Sequence, residues 1–255
     1  MTTWVRFKLD GAAHYGVLDG DSIDIHGGDM FEGSASMGGT ANLADVELLT
    51  PCVPTKIVAL WNNSKSAAEK QGLETPEDPL FFIKGSNTHL AHGGVIQKPA
   101  SYDGRVIYEA ELGVVIGKLA KEVPEADAAS HIFGYTCVND VTALTLLDKD
   151  PSFPQWARAK GFDTFGAFGP GIVSGVDVSG FSIRAELNGR ERQNYPVSDL
   201  MMAPAELVHR ISQDMTLYPG DIISCGTGPG ALPMKPGAQI DVIIDGIGTL
   251  SNTYE

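Results

Sequence analysis

The sequence predicts a β-rich α+β fold with few short helices, and three observations carry that expectation. Short apolar-alternating runs recur along the chain, turn dipeptides such as Asp10-Gly11, Asp19-Gly20 and Asn188-Gly189 separate them, and only two or three stretches have helical character. With 255 residues the chain is long enough for a sizeable core, either as one large domain or as a main domain with a small appendage.

In order, Trp4 to Leu9, Tyr15 to Leu18 and Ser22 to Ile25 read as strands joined by Asp-Gly turns. A Gly/Ser-rich stretch from Gly27 to Gly39 follows, and Val46 to Pro51 reads as a connection. The expected division is therefore a small N-terminal β domain over residues 1–50 and a main domain over 51–255. Lys56 to Leu60 is strand-like, and Ser64 to Gly72 has helical composition ending at glycine. Leu73 to Pro79 is polar and proline-bearing, so 62–79 is either a lid over a site or an ordinary surface helix and loop. Leu80 to Lys84, Val106 to Ile116 and Gly134 to Val138 are expected strands, with Glu125 to His131 and Val141 to Leu147 helical. Ile172-Val173, Phe181 to Leu187, Arg192 to Val197, Asp221 to Ser224 and Gln239 to Ile244 add further strands.

Composition excludes several function classes. No apolar run approaches the roughly 20 residues that span a bilayer, and no secretory signal is visible at Met1 to Phe7, so the expectation is a cytoplasmic protein without a membrane partner. Cys52, Cys137 and Cys225 are far apart and read as free thiols. A net charge of −14 argues against nucleic acid. An acidic substrate would need a local positive centre.

Glu109 and Glu111 stand two apart at the start of the apolar run Leu112 to Ile116, so on a strand they leave the same face. Like charges that close repel, and a divalent cation would compensate them. Asp140, at the end of an apolar strand, is the natural third member. Three carboxylates form a hard, oxygen-only set suited to Mg²⁺ or Mn²⁺ more than to zinc. Alone, Glu-x-Glu is more often a solvated strand edge. Context comes from Lys160, in a glycine- and aromatic-rich stretch, and from the turn Gly226-Thr227-Gly228 after Asp221 to Cys225, whose N–H groups and hydroxyl suit an anion. That turn lacks the Gly-Lys-Ser/Thr ending of a P-loop.

Together, Tyr108-Glu-x-Glu-Leu, Gly134-Tyr-Thr-x-x-Asn-Asp-Val, Lys160-Gly-Phe-Asp-Thr-Phe, Leu217-x-Pro-Gly-Asp-x-Ile-x-x-Gly-Thr and Asp245-Gly-Ile-Gly-x-Leu-x-Asn resemble the fumarylacetoacetate hydrolase superfamily, in order from about Lys56 to Asn252. The N-terminal part is similar to the small domain of many bacterial members. The resemblance implies a mixed β-roll, a homodimer, and Mg²⁺ or Mn²⁺ held by Glu109, Glu111 and Asp140. It also implies an active-site Lys160, a substrate-binding loop at Gly226 and Thr227, and a catalytic Glu69 on the lid. The implied substrate is a small anionic 2-oxo or 2,4-dioxo acid that reacts through a metal-stabilised enolate. C–C cleavage follows, by an acylpyruvate-type hydrolase or an oxaloacetate-type decarboxylase. The alternatives are a keto–enol isomerase or decarboxylase of a 2-hydroxymuconate-type intermediate of aromatic-compound catabolism, and, from another class, a non-catalytic relative that binds metal and 2-oxo acid.

The chain departs from the family pattern at the lid, where Ser66 stands at the position of a water-activating histidine; Lys65, His89 or His92 would have to substitute for it. Serine cannot take a proton near neutral pH as imidazole can, which favours reactions that need no activated water. Leu144 and Leu147 stand where the founding hydrolase uses arginine and glutamine, and the simplest reading of them is core. Gln155 and Arg158, before Lys160, read as a solvated helix face.

Overall fold

Ala110–Ile116 is the segment whose sequence leaves least choice: seven residues, nearly all apolar, every one buried. A strand apolar on both faces needs cover on both sides, and here it is hydrogen-bonded between Ile132–Asp140 and Ile222–Ser224. Leu112, Val114 and Ile116 enter the main core with Tyr108, while Val115 faces a smaller cluster with Val138, Phe168 and Ile222.

The computed structural model describes residues 1–255. Its large twelve-stranded sheet runs, neighbour to neighbour, Gly33–Asn42, Ser22–Asp29, Ala12–Asp19, Thr2–Leu9, Gly166–Ser174, Ile132–Asp140, Ala110–Ile116, Ile222–Ser224, Ile57–Trp61 and Leu80–Lys84; Glu47–Leu48 and His89–Leu90 pair beside this path. A five-stranded sheet carries Ser182–Leu187, Arg190–Pro196, Ala238–Ile244 and Gly248–Tyr254, with Val95–Ile96 at its edge. Most pairings are antiparallel, but Ile222–Ser224 runs parallel to Ile57–Trp61. The fold is β-rich, with four short α-helices: Lys65–Gln71, Glu125–Ala128, Trp156–Lys160 and Pro204–Asp214. No helix is long and apolar enough to cross a membrane. The three cysteines are free and buried.

The first fifty residues have a small core of Val5, Phe7 and Ile23, and they join the large sheet where Thr2 to Trp4 pair with Ile172 to Ser174. The Gly/Ser-rich stretch is more regular than its composition suggests, because Gly33–Asn42 pairs along Ser22–Asp29. Ser64 caps the helix Lys65–Gln71 by accepting from Ala67 N, and Gly72 ends it in the left-handed conformation.

One expectation from the sequence changes, and three elements extend beyond what the sequence predicts. Val141 to Leu147 is not a helix: Val106↔Ala143 and Ile107↔Thr142 pair as a two-stranded ladder, and a single 3₁₀ turn follows at Leu144–Leu146. The Thr142 hydroxyl bonds to Glu109 Oε2 and to the Asp140 carbonyl, which holds the chain extended. The strand expected at Ile172-Val173 is longer, Gly166–Ser174, and lies in the middle of the large sheet. Gly248–Tyr254 is a strand that hairpins onto Ala238–Ile244. Pro204–Asp214 is a helix opening on proline, with Leu207, Val208 and Ile211 buried.

One buried acid ties the sheet to its entry loop. Asp221 is fully buried and accepts from Thr55 N, Thr55 Oγ1, Lys56 N, Lys56 Nζ at 2.6 Å and Tyr218 N. Five donors converging on one carboxylate fix where Ile57–Trp61 enters beside Ile222–Ser224. Asp221→Asn is expected to cost about 3 kcal/mol, read as a fall of several degrees in melting temperature. An unchanged melting curve would contradict this role.

Candidate functional site

The carboxylate cluster is a product of strand pairing. Ala110 lies opposite Asn139, so the start of one strand meets the end of its neighbour, and Asp140 N donates to the Glu109 carbonyl at 2.9 Å. Glu109, Glu111 and Asp140 thereby come together, with one ligand oxygen from each within 4.8 Å of the others. Glu111 and Asp140 are buried, while the Glu109 side chain keeps 15% of its surface exposed.

Two ammonium groups answer these charges. Lys160, at the end of the helix Trp156–Lys160, places Nζ 2.5 Å from both Glu109 Oε2 and Asp140 Oδ2. Lys84, at the end of Leu80–Lys84 and fully buried, reaches Asp140 Oδ1 at 2.5 Å and the Val141 carbonyl at 3.2 Å. Sequence reasoning missed Lys84; the one available signal was a charge closing an otherwise apolar strand. Three acids against two ammoniums leave one negative charge uncompensated when all are ionised.

That excess shows in the acidities. Burial, then the charges of Asp140 and Glu109, push Glu111 up to about 8. Burial also raises Glu109, against the pull of Lys160. Burial would raise Asp140 as well, but Lys160 and Lys84 together outweigh it and hold that carboxyl below its usual range. Lys160 is the mirror case: burial would lower it, but Asp140, Glu109 and Glu111 keep it protonated.

The loop after Ile222–Ser224 supports Glu111. Ser224 Oγ donates to Glu111 Oε2 at 2.5 Å and Gly226 N donates to the same oxygen at 2.8 Å. Gly226 sits at φ 92°, a backbone region that favours glycine, and an added Cβ would lie 3.1 Å from Asn63 Cβ. Gly226 therefore serves the cluster and does not line the cavity, whereas Thr227 does line it. Thr227 Oγ1 donates to the Ala110 carbonyl at 3.0 Å and accepts from Gln193 Nε2 at 2.9 Å. Gln193, buried and also missed from sequence, accepts from Ala110 N at 3.0 Å and donates to the Gly228 carbonyl at 2.8 Å. It arrives from the five-stranded sheet, so its proximity follows only from the tertiary fold.

Beside the cluster opens a cavity of about 1180 Å³, with Glu109, Glu111, Lys160 and Thr227 in its wall and no histidine among its lining residues. His89, His92 and Lys65 all lie outside it; Lys65 instead donates to the Ser198 carbonyl. Ser66 is bonded to Asp199, through Oγ at 2.8 Å and through its N–H at 3.1 Å, and the same carboxylate accepts from Ser64 Oγ. Glu69 is exposed and lies off the cavity lining. The cause is helical spacing: Ser66 and Glu69, three residues apart, share the face that Asp199 holds, while Ala67, Lys70 and Gln71 turn to the cavity. Leu144 and Leu147 line the cavity and are only partly buried, so they are wall as well as packing. Gln155 and Arg158 do not line it.

The family model for the C-terminal part of fumarylacetoacetate (FAA) hydrolase matches residues 56–255, and the Rv2993c-like N-terminal model matches residues 3–51. Oxaloacetate tautomerase YisK of Bacillus subtilis is 36% identical over 225 residues, covering 83% of this chain and 74% of the relative. The crystal structure of 5-carboxymethyl-2-hydroxymuconate delta-isomerase from Mycobacterium smegmatis superposes with a TM-score of 0.91 at 36% identity, covering 100% of this chain and 99% of the other. Fumarylpyruvate hydrolase from Pseudomonas aeruginosa, in complex with Mn²⁺ and pyruvate, superposes at 0.72 with 28% identity over 80% and 90% of the two chains. The chain belongs to the fumarylacetoacetate hydrolase family.

Proposed function

We propose that this chain is a divalent-metal-dependent isomerase that interconverts the keto and enol forms of a small 2-oxo acid. The observation that carries the reading is an ammonium, Lys160 Nζ, fixed beside three carboxylates in a cavity whose wall offers no imidazole. Relatives named as a tautomerase and a delta-isomerase support it.

Glu109, Glu111 and Asp140 fit Mg²⁺ or Mn²⁺ because the set is oxygen-only, and because a cation, Lys160 Nζ, is already drawn in between Glu109 and Asp140. Such an ion would supply Lewis acidity toward the carboxylate and keto oxygens of the substrate. The protein's own residues do the rest. Lys160 offers a positive charge to the oxygen that becomes the enolate. The Thr227 hydroxyl rotates about its Cβ–Oγ bond, so its proton can turn from the Ala110 carbonyl to a substrate carboxylate. Gln193 keeps that loop in place meanwhile. Isomerisation moves one proton off the carbon next to the ketone and one onto its oxygen, and Lys160 Nζ can serve both transfers, giving its proton to the oxygen and taking the carbon's proton in return. It consumes no water, which suits a site where Ser66 is bonded to Asp199. Hydrolysis would need a group to deprotonate water, and none of the histidines lines the cavity.

Two outcomes test this reading. With Mg²⁺ present, enol consumption followed by ultraviolet absorbance should be catalysed for at least one of pyruvate, phenylpyruvate and oxaloacetate, and Lys160→Ala should slow it by about 100-fold or more; rapid metal-dependent hydrolysis of acetylpyruvate without enol interconversion would overturn the assignment. Metal affinity should also depend on pH. Because Glu111 titrates near 8, it holds its proton below that pH and must release it to bind an ion. Calorimetric affinity for Mn²⁺ should therefore tighten by up to about tenfold per pH unit from 6 to 8, and Glu111→Gln should weaken binding and flatten that slope.

A further inference from the structure

The cavity is much larger than a four-carbon acid requires, and the part beyond the carboxylate cluster has its own character. Its wall there is formed by Trp61, Phe81, Phe82, Leu144, Leu147 and Trp156. The aromatic rings form a continuous track leading away from the reacting end. Lys160 Nζ lies 4.8 Å from the centre of the Phe82 ring. Phe82 stacks on Trp156 with centroids 5.2 Å apart and planes 18° from parallel. Trp156 in turn meets Trp61 edge to face at 5.8 Å. Trp61 remains 38% exposed and Trp156, Leu144, Leu147 and Phe81 are partly buried, so these side chains are open to a ligand, while Phe82 is buried and backs Trp156.

Charge in this part is sparse. Apart from the cluster and Lys160, the charged lining residues are Lys70 and Asp148, both exposed. Asp148 repels a second carboxylate, and Lys70, the one other cation facing the cavity, is exposed, so its attraction for a distal carboxylate is screened by water and weak. No arginine lines the cavity. A dicarboxylate would thus place its distal charge against leucine and tryptophan, where an unpaired ion is costly, whereas a flat apolar group would gain ring contact and area removed from water.

We propose that the cavity selects 2-oxo acids with an apolar, aromatic-ended tail, the acid head at the carboxylate cluster and the tail on the Phe82–Trp156–Trp61 track. The head placement rests on the proposed isomerase reading; the tail placement rests on the wall alone. Phe82 contributes to both, because its ring touches the ammonium of Lys160 and the indole of Trp156. Leu147, at the side of the track, is the residue whose lack of charge sets the preference.

Calorimetric binding to the Mg²⁺-loaded protein, with phenylpyruvate, pyruvate and oxaloacetate as ligands, tests the proposal without requiring turnover. Phenylpyruvate is expected to bind at least about tenfold tighter than pyruvate, and tighter than oxaloacetate. Trp156→Ala should remove most of that advantage, and Leu147→Arg should shift the phenylpyruvate-to-oxaloacetate ratio by about tenfold or more toward the dicarboxylate. Equal or weaker binding of phenylpyruvate would overturn the proposal, even if all three acids are isomerised. Tighter phenylpyruvate binding with no enol interconversion of any of them would leave the aromatic track standing and defeat the isomerase reading instead.

Discussion

Three carboxylates brought within 4.8 Å of one another, two of them buried, impose a demand that the surrounding structure meets. Like charges in a medium of low polarity cannot all ionise unless something answers them. Lys160 and Lys84 come from two separate elements to do so, one on each side of Asp140. Glu111 takes two hydrogen bonds from the loop Ser224 to Gly226, and Glu109 takes one from Thr142. Much of the chain's local irregularity follows from these bonds: the extended Thr142, the glycine at 226, and the junction at which Gln193 clamps Ala110 to Gly228. Even so, the charges are not fully balanced, and burial together with the charges of Asp140 and Glu109 pushes Glu111 up to about 8. A divalent ion fits that remaining deficit.

The sequence made the centre of this arrangement legible because the relevant rule is local. A period of two puts Glu109 and Glu111 on one face, and a run of apolar residues ending at Asn139-Asp140 places a carboxylate at a strand terminus. The supporting residues follow no such rule. Lys84 meets Asp140 although its strand stands four places away from Asp140's in the sheet order, so the approach follows only from the tertiary fold. Gln193 belongs to another sheet altogether. Secondary structure shows the same division. Gly248–Tyr254 buries Leu250, Asn252 and Tyr254 in strict alternation, yet its polar content hides the pattern. Pro204–Asp214 is short and mostly polar, with Leu207, Val208 and Ile211 as its only buried apolar stripe. Val141 to Leu147 reads as helical because five of its seven residues are apolar or helix-favouring, and tertiary bonds to Glu109 and to Val106–Ile107 outweigh that propensity.

At the helix Lys65–Gln71, Ser66 stands where the family resemblance leads one to expect a histidine. Ser66 does not substitute for an imidazole; with Ser64 it binds Asp199 and pins the start of the helix Lys65–Gln71. That orientation turns Glu69 to solvent and presents Ala67, Lys70 and Gln71 to the cavity. Across the cavity, Leu144 and Leu147 remove the polar wall that a charged tail would need. The two changes are separate in sequence but agree in consequence. One disfavours an activated water, and the other disfavours a second carboxylate on the substrate.

The central claim, that Glu109, Glu111 and Asp140 form a divalent-metal centre which receives a 2-oxo acid, is tested most directly by anomalous diffraction from a crystal soaked in Mn²⁺ and oxalate. The account predicts a single strong anomalous peak within coordination distance of all three carboxylates, with oxalate bound on the side facing Lys160 and Thr227. Full Mn²⁺ occupancy elsewhere, with Lys160 still lying between Glu109 and Asp140, would contradict it.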